Sequence, residues 1–310
     1  MFAYTVRRII QFFPIIIAIS LIMFLLLNVL PGDAALISGG ARQEVDPKAI
    51  EQMRKEWGLD RPIHIRYLNY MNDLLHGDLG VSFIRREKVN EIIADRLWPT
   101  LKLAIVAMLI AICIGLPLGF FSAMRQGTWV DLFAMVGAVS GISVPQFWLG
   151  LLLMFFLSVK LHLFPTSGYG EGRVGYLILP AFTLGVTYMA LIARTTRAAV
   201  IEVLNTDYIR TAYAKGLSEL LITRKHVFRN TLILVLTTCG LQFGGLIGRT
   251  VIVEKLFSWP GLGSLLVNSI FQRDLPVTQG CILLIILVFL IVNLAVDLLY
   301  AFIDPRIKYN

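Results

Sequence analysis

The chain is poor in charge. Asp, Glu, Lys and Arg make up 15% of its 310 residues while 57% are hydrophobic, whereas soluble domains carry roughly a quarter charged residues. A water-soluble enzyme is excluded on that ground. Cysteine is also scarce: Cys113, Cys239 and Cys281 each fall in a separate apolar stretch. Without paired spacing or an external position they exclude a disulfide framework and a Cys-based zinc site, and they are expected to be small apolar core residues. The four histidines, His64, His76, His162 and His226, are expected in loops or at membrane edges. No nucleophile–base pair accompanies them, which argues against an enzyme active site within the membrane, and no Cys/His/Met cluster has metal-ligand spacing.

What the chain has is apolar runs long enough to cross a hydrocarbon core, which takes about 20 helical residues. Six are expected, at 9–30, 101–123, 132–159, 176–193, 231–253 and 280–302. The first follows Arg7-Arg8 and is too long for a cleaved signal peptide, whose apolar region spans about 7–15 residues. The net charge of +8 fits nucleic acid or an anionic membrane face, and its position decides between them. Residues 31–99 hold ten basic and eleven acidic residues, so the excess sits among the apolar runs. With both termini inside, the short inner pieces hold twelve basic residues and the short outer ones hold Lys160, Arg173, Lys255 and Arg273. Because Lys and Arg accumulate on the cytoplasmic side, the expected topology is six spans with both ends cytoplasmic.

Small residues four apart let helix backbones approach where lipid supplies no hydrophobic drive. Gly115-x-x-x-Gly119, Gly137-x-x-x-Gly141 and the series Gly240, Gly244, Gly248 predict a compact bundle. Pro117, Pro145 and Pro180 fit either broken helices around a pathway or packing kinks. Ionisable residues within spans are expensive and hence functional candidates. Lys102 is placed to snorkel outward, Asp297, in Asn293-x-x-x-Asp297, to make a helix–helix hydrogen bond, and Arg249 either to face a pathway, snorkel, or pair with Glu254.

The most informative stretch is polar, 194–230. Val200, Val203, Leu204, Ile209, Ala212 and Ala214 recur at helical intervals, and Gly216 interrupts before Leu217-Ser218-Glu219, which predicts two short helices around a glycine turn. A basic loop lying on anionic lipid explains the charge but not the Ala-x-x-x-Gly break. Asp207-Tyr208-Ile209-Arg210-Thr211-Ala212-Tyr213-Ala214-Lys215-Gly216-Leu217-Ser218-Glu219, with Arg224-Lys225-His226 and Arg229-Asn230, resembles the cytoplasmic coupling loop of permease subunits in binding-protein-dependent ATP-binding-cassette importers, in the branch handling dipeptides, oligopeptides, glutathione and nickel complexes. Leu30-Pro31-Gly32-Asp33, Gly77-Asp78-Leu79-Gly80-Val81-Ser82, Leu163-Phe164-Pro165-Thr166-Ser167-Gly168, Phe257-Ser258-Trp259-Pro260-Gly261-Leu262-Gly263 and Asp304-Pro305-Arg306 extend the resemblance over essentially the whole chain. Tyr213 stands where that family commonly has Arg, and Arg249 where it usually has a small residue.

The resemblance implies an all-α polytopic membrane protein of the bacterial inner membrane with the six-helix type I importer permease fold. It divides the chain into an N-terminal helix (1–30), an external segment (31–99), a permease core (100–303) with the coupling loop 194–230, and a tail (304–310). It implies no catalytic residue. No Gly-x-x-x-x-Gly-Lys-Ser/Thr phosphate loop occurs, and Gly261-Leu262-Gly263 lacks the third glycine of a dinucleotide motif. ATP and magnesium are therefore expected on partner ATPase subunits, with no cofactor and no metal in this chain. Asp207, Tyr208, Arg210, Ala212, Lys215, Gly216, Glu219, His226 and Arg229 are the expected coupling residues; Arg249, Gln242 and Gly245 the expected pathway residues; Trp259, Pro260 and Gly261 the outer loop. Further partners are a related second permease, an extracytoplasmic substrate-binding protein meeting 31–99 with its Trp57, Tyr67 and Tyr70, and membrane lipid, with no nucleic acid. Small peptides, glutathione included, are the first expectation for cargo and a nickel complex the second. A secondary transporter or channel would be expected to carry inverted repeats or rings of buried charge, and neither is visible.

Overall fold

The computed structural model describes residues 2–29, 51, 52, 55, 58 and 60–303. The Leu30-Pro31-Gly32-Asp33 and Asp304-Pro305-Arg306 motifs, Trp57 and Lys308 lie outside the described residues. Ten helices are followed here: α1 (Phe2–Val29), α2 (Ile63–Leu75), α3 (Val89–Met124), α4 (Trp129–Ser143), α5 (Gln146–Lys160), α6 (Val174–Leu204), α7 (Asp207–Ala214), α8 (Glu219–Leu256), α9 (Leu262–Gln272) and α10 (Leu275–Ile303). Among the described residues the only β pairing is the isolated bridge between Val81 and Lys88.

Helices α1, α3, α6, α8 and α10 are each long and apolar enough to cross a bilayer, and α4 with α5 makes a sixth crossing if that pair is counted as one. The single span expected at 132–159 is corrected by the structure: α4 and α5 meet at 108°. Pro145 lacks an N–H and excludes the helical region for the residue before it, so Val144 is extended (φ −78°, ψ 128°) and the helix cannot continue. Three other expected spans are longer than their apolar cores, among them the one expected at 231–253, which is the 38-residue α8. At 36 residues α3 extends about 54 Å and runs unbroken through positions 99 and 100; α6 carries Arg194 and Arg197 with it to Leu204.

The α3–α6 contact holds the centre. A β-carbon at Gly115 would lie 2.5 Å from the Met189 carbonyl oxygen, one at Gly185 would lie 2.8 Å from that of Ala107, and one at Gly119 would overlap the Ala193 carbonyl. The two backbones therefore touch, and Leu103, Ala107, Ala111, Leu184, Tyr188 and Ile192 close around the seam. The other small-residue motifs divide. Gly141 packs on Val186 and Ala190 of α6, while Gly137 faces open space; Gly240 and Gly244 pack on Val296 and Asn293 of α10, while Gly248 is open. Cys239 and Cys281 are buried as expected, but Cys113 faces outward, a correction that follows from its place on the side of α3 away from α6.

α1 is exposed along most of its length and is held near its two ends. Arg8 bonds Asp297 at 3.0 Å, a helix–helix contact of the kind expected for Asp297, while Asn293 lies against Gly244. Ser20 meets the Tyr67 hydroxyl of α2 at 3.1 Å, and Phe24 packs on the rings of Tyr67 and Tyr70. This brings the start of α1 beside the end of α10. Substituting Gly119→Ala adds one carbon where no space exists, and overpacking of this kind costs about 1–3 kcal/mol. The thermal transition of the detergent-solubilised protein is expected to fall accordingly; an unchanged transition would contradict the backbone contact.

Candidate functional site

The polar segment forms one built surface at the foot of α3 and α6. After Leu204, Asn205 and Thr206 turn the chain into α7, whose Ile209 and Ala212 are buried with Ala123 of α3, Val200 and Val203 of α6, and Ile222 and Val227 of α8. Ile209 and Ala212 are three apart, so one face of this short helix is apolar and the other is free. The free face carries Asp207, Tyr208, Arg210 and Tyr213, all exposed. Arg210 lies 3.5 Å from Asp207 on the same face, a pair that an exposed setting leaves weak.

The end of α7 is stopped by backbone chemistry. Gly216 adopts φ +74°, the N–H of Gly216 donates to the Tyr213 carbonyl (2.9 Å) and that of Leu217 to the Ala212 carbonyl (3.3 Å). This is the paired reverse bonding that closes a helix on a left-handed residue, where glycine carries no steric penalty. Lys215, Gly216, Glu219 and Arg229 are exposed, and Glu219 opens α8 without an ion pair among the described residues. The next turns, Ile222–Phe228, widen into a π-helix. His226 there is half-buried and offers its carbonyl to Asn230, which also donates to the Tyr208 hydroxyl at 2.8 Å. Ala212 is thus a packing residue within the surface, and Tyr208 is tied to α8.

Directly above lies an ion pair that apolar periodicity missed. Arg197 of α6 grips Asp131 of α4 with both arms (2.6 and 2.8 Å). Ser122 of α3 and the Gly127 N–H also donate to Asp131, at 2.5 and 3.1 Å. Three helices and the turn between two of them converge on one carboxylate. The available signal was an acid within the apolar 129–143 stretch, just before the span expected to start at 132.

At the opposite end, Glu254 of α8 is fully buried. It accepts from Thr100 (2.6 Å) and the Ser264 N–H (3.0 Å), and the Thr100 hydroxyl accepts from the Leu262 N–H at 2.8 Å. Trp259 is wholly buried and donates to the Pro99 carbonyl at 3.0 Å. A β-carbon at Gly261 would overlap the Glu254 carboxylate, and one at Gly263 would lie 2.5 Å from the Val251 α-carbon. The outer-loop residues Trp259, Pro260 and Gly261 therefore form a knot within the fold, and the two glycines serve close packing.

Between these ends α8 presents Gln242, Gly245 and Arg249 on one face. Gly245 and Gly248 have nothing within 4 Å, and Leu241 and Ile252 beside them are exposed. The Arg249 guanidinium lies 5.7 Å from the centre of the Tyr188 ring, a cation–π contact. It does not pair with Glu254, whose oxygens are engaged elsewhere. Lys102 reaches outward and donates to the Gly172 carbonyl at 3.1 Å. Among the described residues no cluster of three or more His, Cys, Asp or Glu could hold a metal ion.

Comparison with known proteins assigns this architecture. Residues 115–309 match the family described as binding-protein-dependent transport system inner membrane component, and residues 1–104 match its N-terminal domain. The glutathione transport system permease protein GsiC of Escherichia coli (strain K12) is 44% identical over 310 residues, all of both chains, and that of Salmonella typhimurium (strain LT2) is 43% identical over the same length. The inward-facing MetNI methionine ABC transporter resembles this chain with a TM-score of 0.59 at 19% identity, covering 69% of this chain and 96% of that one. An amino acid ABC transporter gives 0.54 at 16%, covering 70% and 95%.

Removing Arg197 strands the buried Asp131. Arg197→Ala is expected to destabilise the detergent-solubilised protein by about 2–3 kcal/mol, and Asp131→Ala combined with Arg197→Ala to recover part of that loss. Additive losses in a thermal-unfolding cycle would show that the pair is uncoupled.

Proposed function

We propose that this chain, which belongs to the family of binding-protein-dependent transport system inner membrane components and is a permease subunit of an ABC importer, carries small peptides, glutathione among them, across the bacterial inner membrane. The observation that carries the reading is full-length identity of 43–44% to glutathione permeases. It favours peptide cargo over a nickel complex. The ATPase partners hold ATP and magnesium and close on the exposed face of α7; because Ile209 and Ala212 are packed on α3, α6 and α8, displacement of α7 is delivered to all three. A related second permease covers the open face of α8, and the pathway runs between the two along Gln242, Gly245 and Arg249. There a guanidinium meets the carboxylates of a peptide. The end bearing α7, where α1 begins and α10 ends, is cytoplasmic; the surplus of Lys and Arg on that side supports this orientation.

The test is ATP-dependent uptake of radiolabelled glutathione, a dipeptide and a nickel chelate by proteoliposomes holding the complete importer with its binding protein. Uptake of the chelate with neither peptide would sink the reading. Within that system Gly216→Val forces a β-branched residue to φ +74°, a strain of about 1–3 kcal/mol. Substrate-stimulated ATP hydrolysis and uptake are expected to fall at least five-fold together, with binding-protein docking retained. For Arg249→Ala the expectation is a raised KM for peptide uptake; unchanged uptake and unchanged stimulated hydrolysis would remove Arg249 from the pathway.

A further inference from the structure

A second concavity lies at the outer end of the molecule, away from the α8 face. It has a volume of about 630 Å³ and is walled by Phe24 of α1, the α2 side chains, the turn 78–86 and the first turn of α10. That size suits a ligand of a few residues. Three guanidinium groups line it, those of Arg61, Arg66 and Arg86, and none has an ion pair among the described residues; Asp73 and Asp78 supply fewer negative charges than these supply positive ones. Arg66 is half-buried, lies 5.8 Å from the centre of the Phe24 ring, and burial lowers its pKa from the ordinary value. A cation partly stripped of water with no carboxylate beside it is an anion site in waiting.

The turn carrying Arg86 is held in place from behind. Asp274 is buried and accepts from the Ser82 hydroxyl and from the Phe83 N–H (3.1 Å), and the chain then reverses through Arg86 at φ +58°. A non-glycine residue in that region is costly and is kept only where its surroundings fix it. Gln279, nine-tenths buried as a residue, also lines the cavity and makes no side-chain hydrogen bond to a described residue, so its amide is available to a bound group. The positive end of the α10 dipole, at Leu275 and Pro276, adds to the same preference.

We propose that this cavity is an outer capture site for small peptide cargo, in which Arg66 and Arg86 bind carboxylate oxygens and Gln279 bonds a peptide amide before the cargo reaches α8. The site rests on the peptide reading of the preceding subsection. Its volume of about 630 Å³ matches a ligand of a few residues, and its guanidinium groups match the carboxylates of a free peptide.

The test uses the complete importer in lipid nanodiscs, with a thiol introduced by Asn69→Cys on the cavity wall and labelled by a water-soluble maleimide. S-methylglutathione is expected to slow labelling at least five-fold and its diamide, which lacks both carboxylates, to leave the rate unchanged. Arg66→Gln with Arg86→Gln is expected to abolish that protection and to raise KM for uptake at least ten-fold, leaving kcat and the affinity for ligand-free binding protein unaltered. Gln279→Leu is expected to raise KM about three-fold. Labelling that S-methylglutathione does not slow overturns the proposal, as does protection given by the binding protein alone and indifferent to peptide, which would assign the cavity to protein docking. Peptide uptake by the wild type without protection refutes the capture site while leaving the peptide reading intact; no uptake of any peptide refutes both.

Discussion

The contact between α3 and α6 is the constraint on which the rest of the structure depends. Lipid is as apolar as a leucine side chain, so two membrane helices gain little from hiding apolar surface; they gain from close packing. Gly115, Gly119 and Gly185 remove the side chains that would keep the two backbones apart. Each end of the seam is then fixed by polar groups that would be costly to leave unpaired. At one end Thr100 and the Pro99 carbonyl engage Glu254 and Trp259; at the other Ser122 and Arg197 converge on Asp131. Glycines set the distance between the helices, and the buried carboxylates set which residues stand opposite one another.

A post built this way explains how a short helix can act on a long molecule. α7 has eight residues and could not fold alone. Its shape comes from burying Ile209 and Ala212 at the foot of α3, α6 and α8, and from the reverse-bonded stop at Gly216. A partner moving α7 cannot shift it without also shifting the helices that hold it, because packed interiors transmit displacement rather than absorb it. By contrast, α1 is exposed along most of its length, and the α4–α5 pair is broken at Pro145. These are the elements free to adjust around the post.

How much was legible in the sequence follows from the kind of signal each feature leaves. The apolar runs and the Ala-x-x-x-Gly break at 212–216 are local, and the turn stands at Gly216, but of the two short helices expected around it only α7 is short: Val200–Leu204 end α6, and Glu219 opens the 38-residue α8. Pro145 was visible, but whether a proline kinks a helix or turns it through 108° is decided by neighbours and not by the proline. The boundaries of α3 and α6 were read short because Val89–Thr100 and Arg194–Leu204 are helical for tertiary reasons: one packs on α9 and α10, the other forms the floor for α7. The roles of Asp131, Glu254 and Asp274 were not legible, Glu254 having been read only as a possible partner of Arg249, because each sits at the edge of an apolar run, where a carboxylate reads as loop. Their partners are 66, 154 and 192 residues away in sequence, and no local pattern announces a contact at that range.

The pairing of charge says more than the net charge of +8. Asp131, Glu254 and Asp297 all lie in membrane helices, and each is engaged by a helix other than its own. Lys102 is satisfied by a loop carbonyl. Arg249 is different: it rests on an aromatic ring, beside glycines with open space in front of them, with no carboxylate among the described residues. A cation at membrane depth costs about 2.5–3.5 kcal/mol even on lenient scales, and here that cost is offset by an aromatic ring rather than by a carboxylate, which leaves the positive potential of Arg249 uncancelled. Arg61, Arg66 and Arg86 repeat the pattern at the outer cavity. The acidic groups bind helix to helix, and the basic groups without carboxylate partners among the described residues stand on the open face of α8 and at the cavity beside α2.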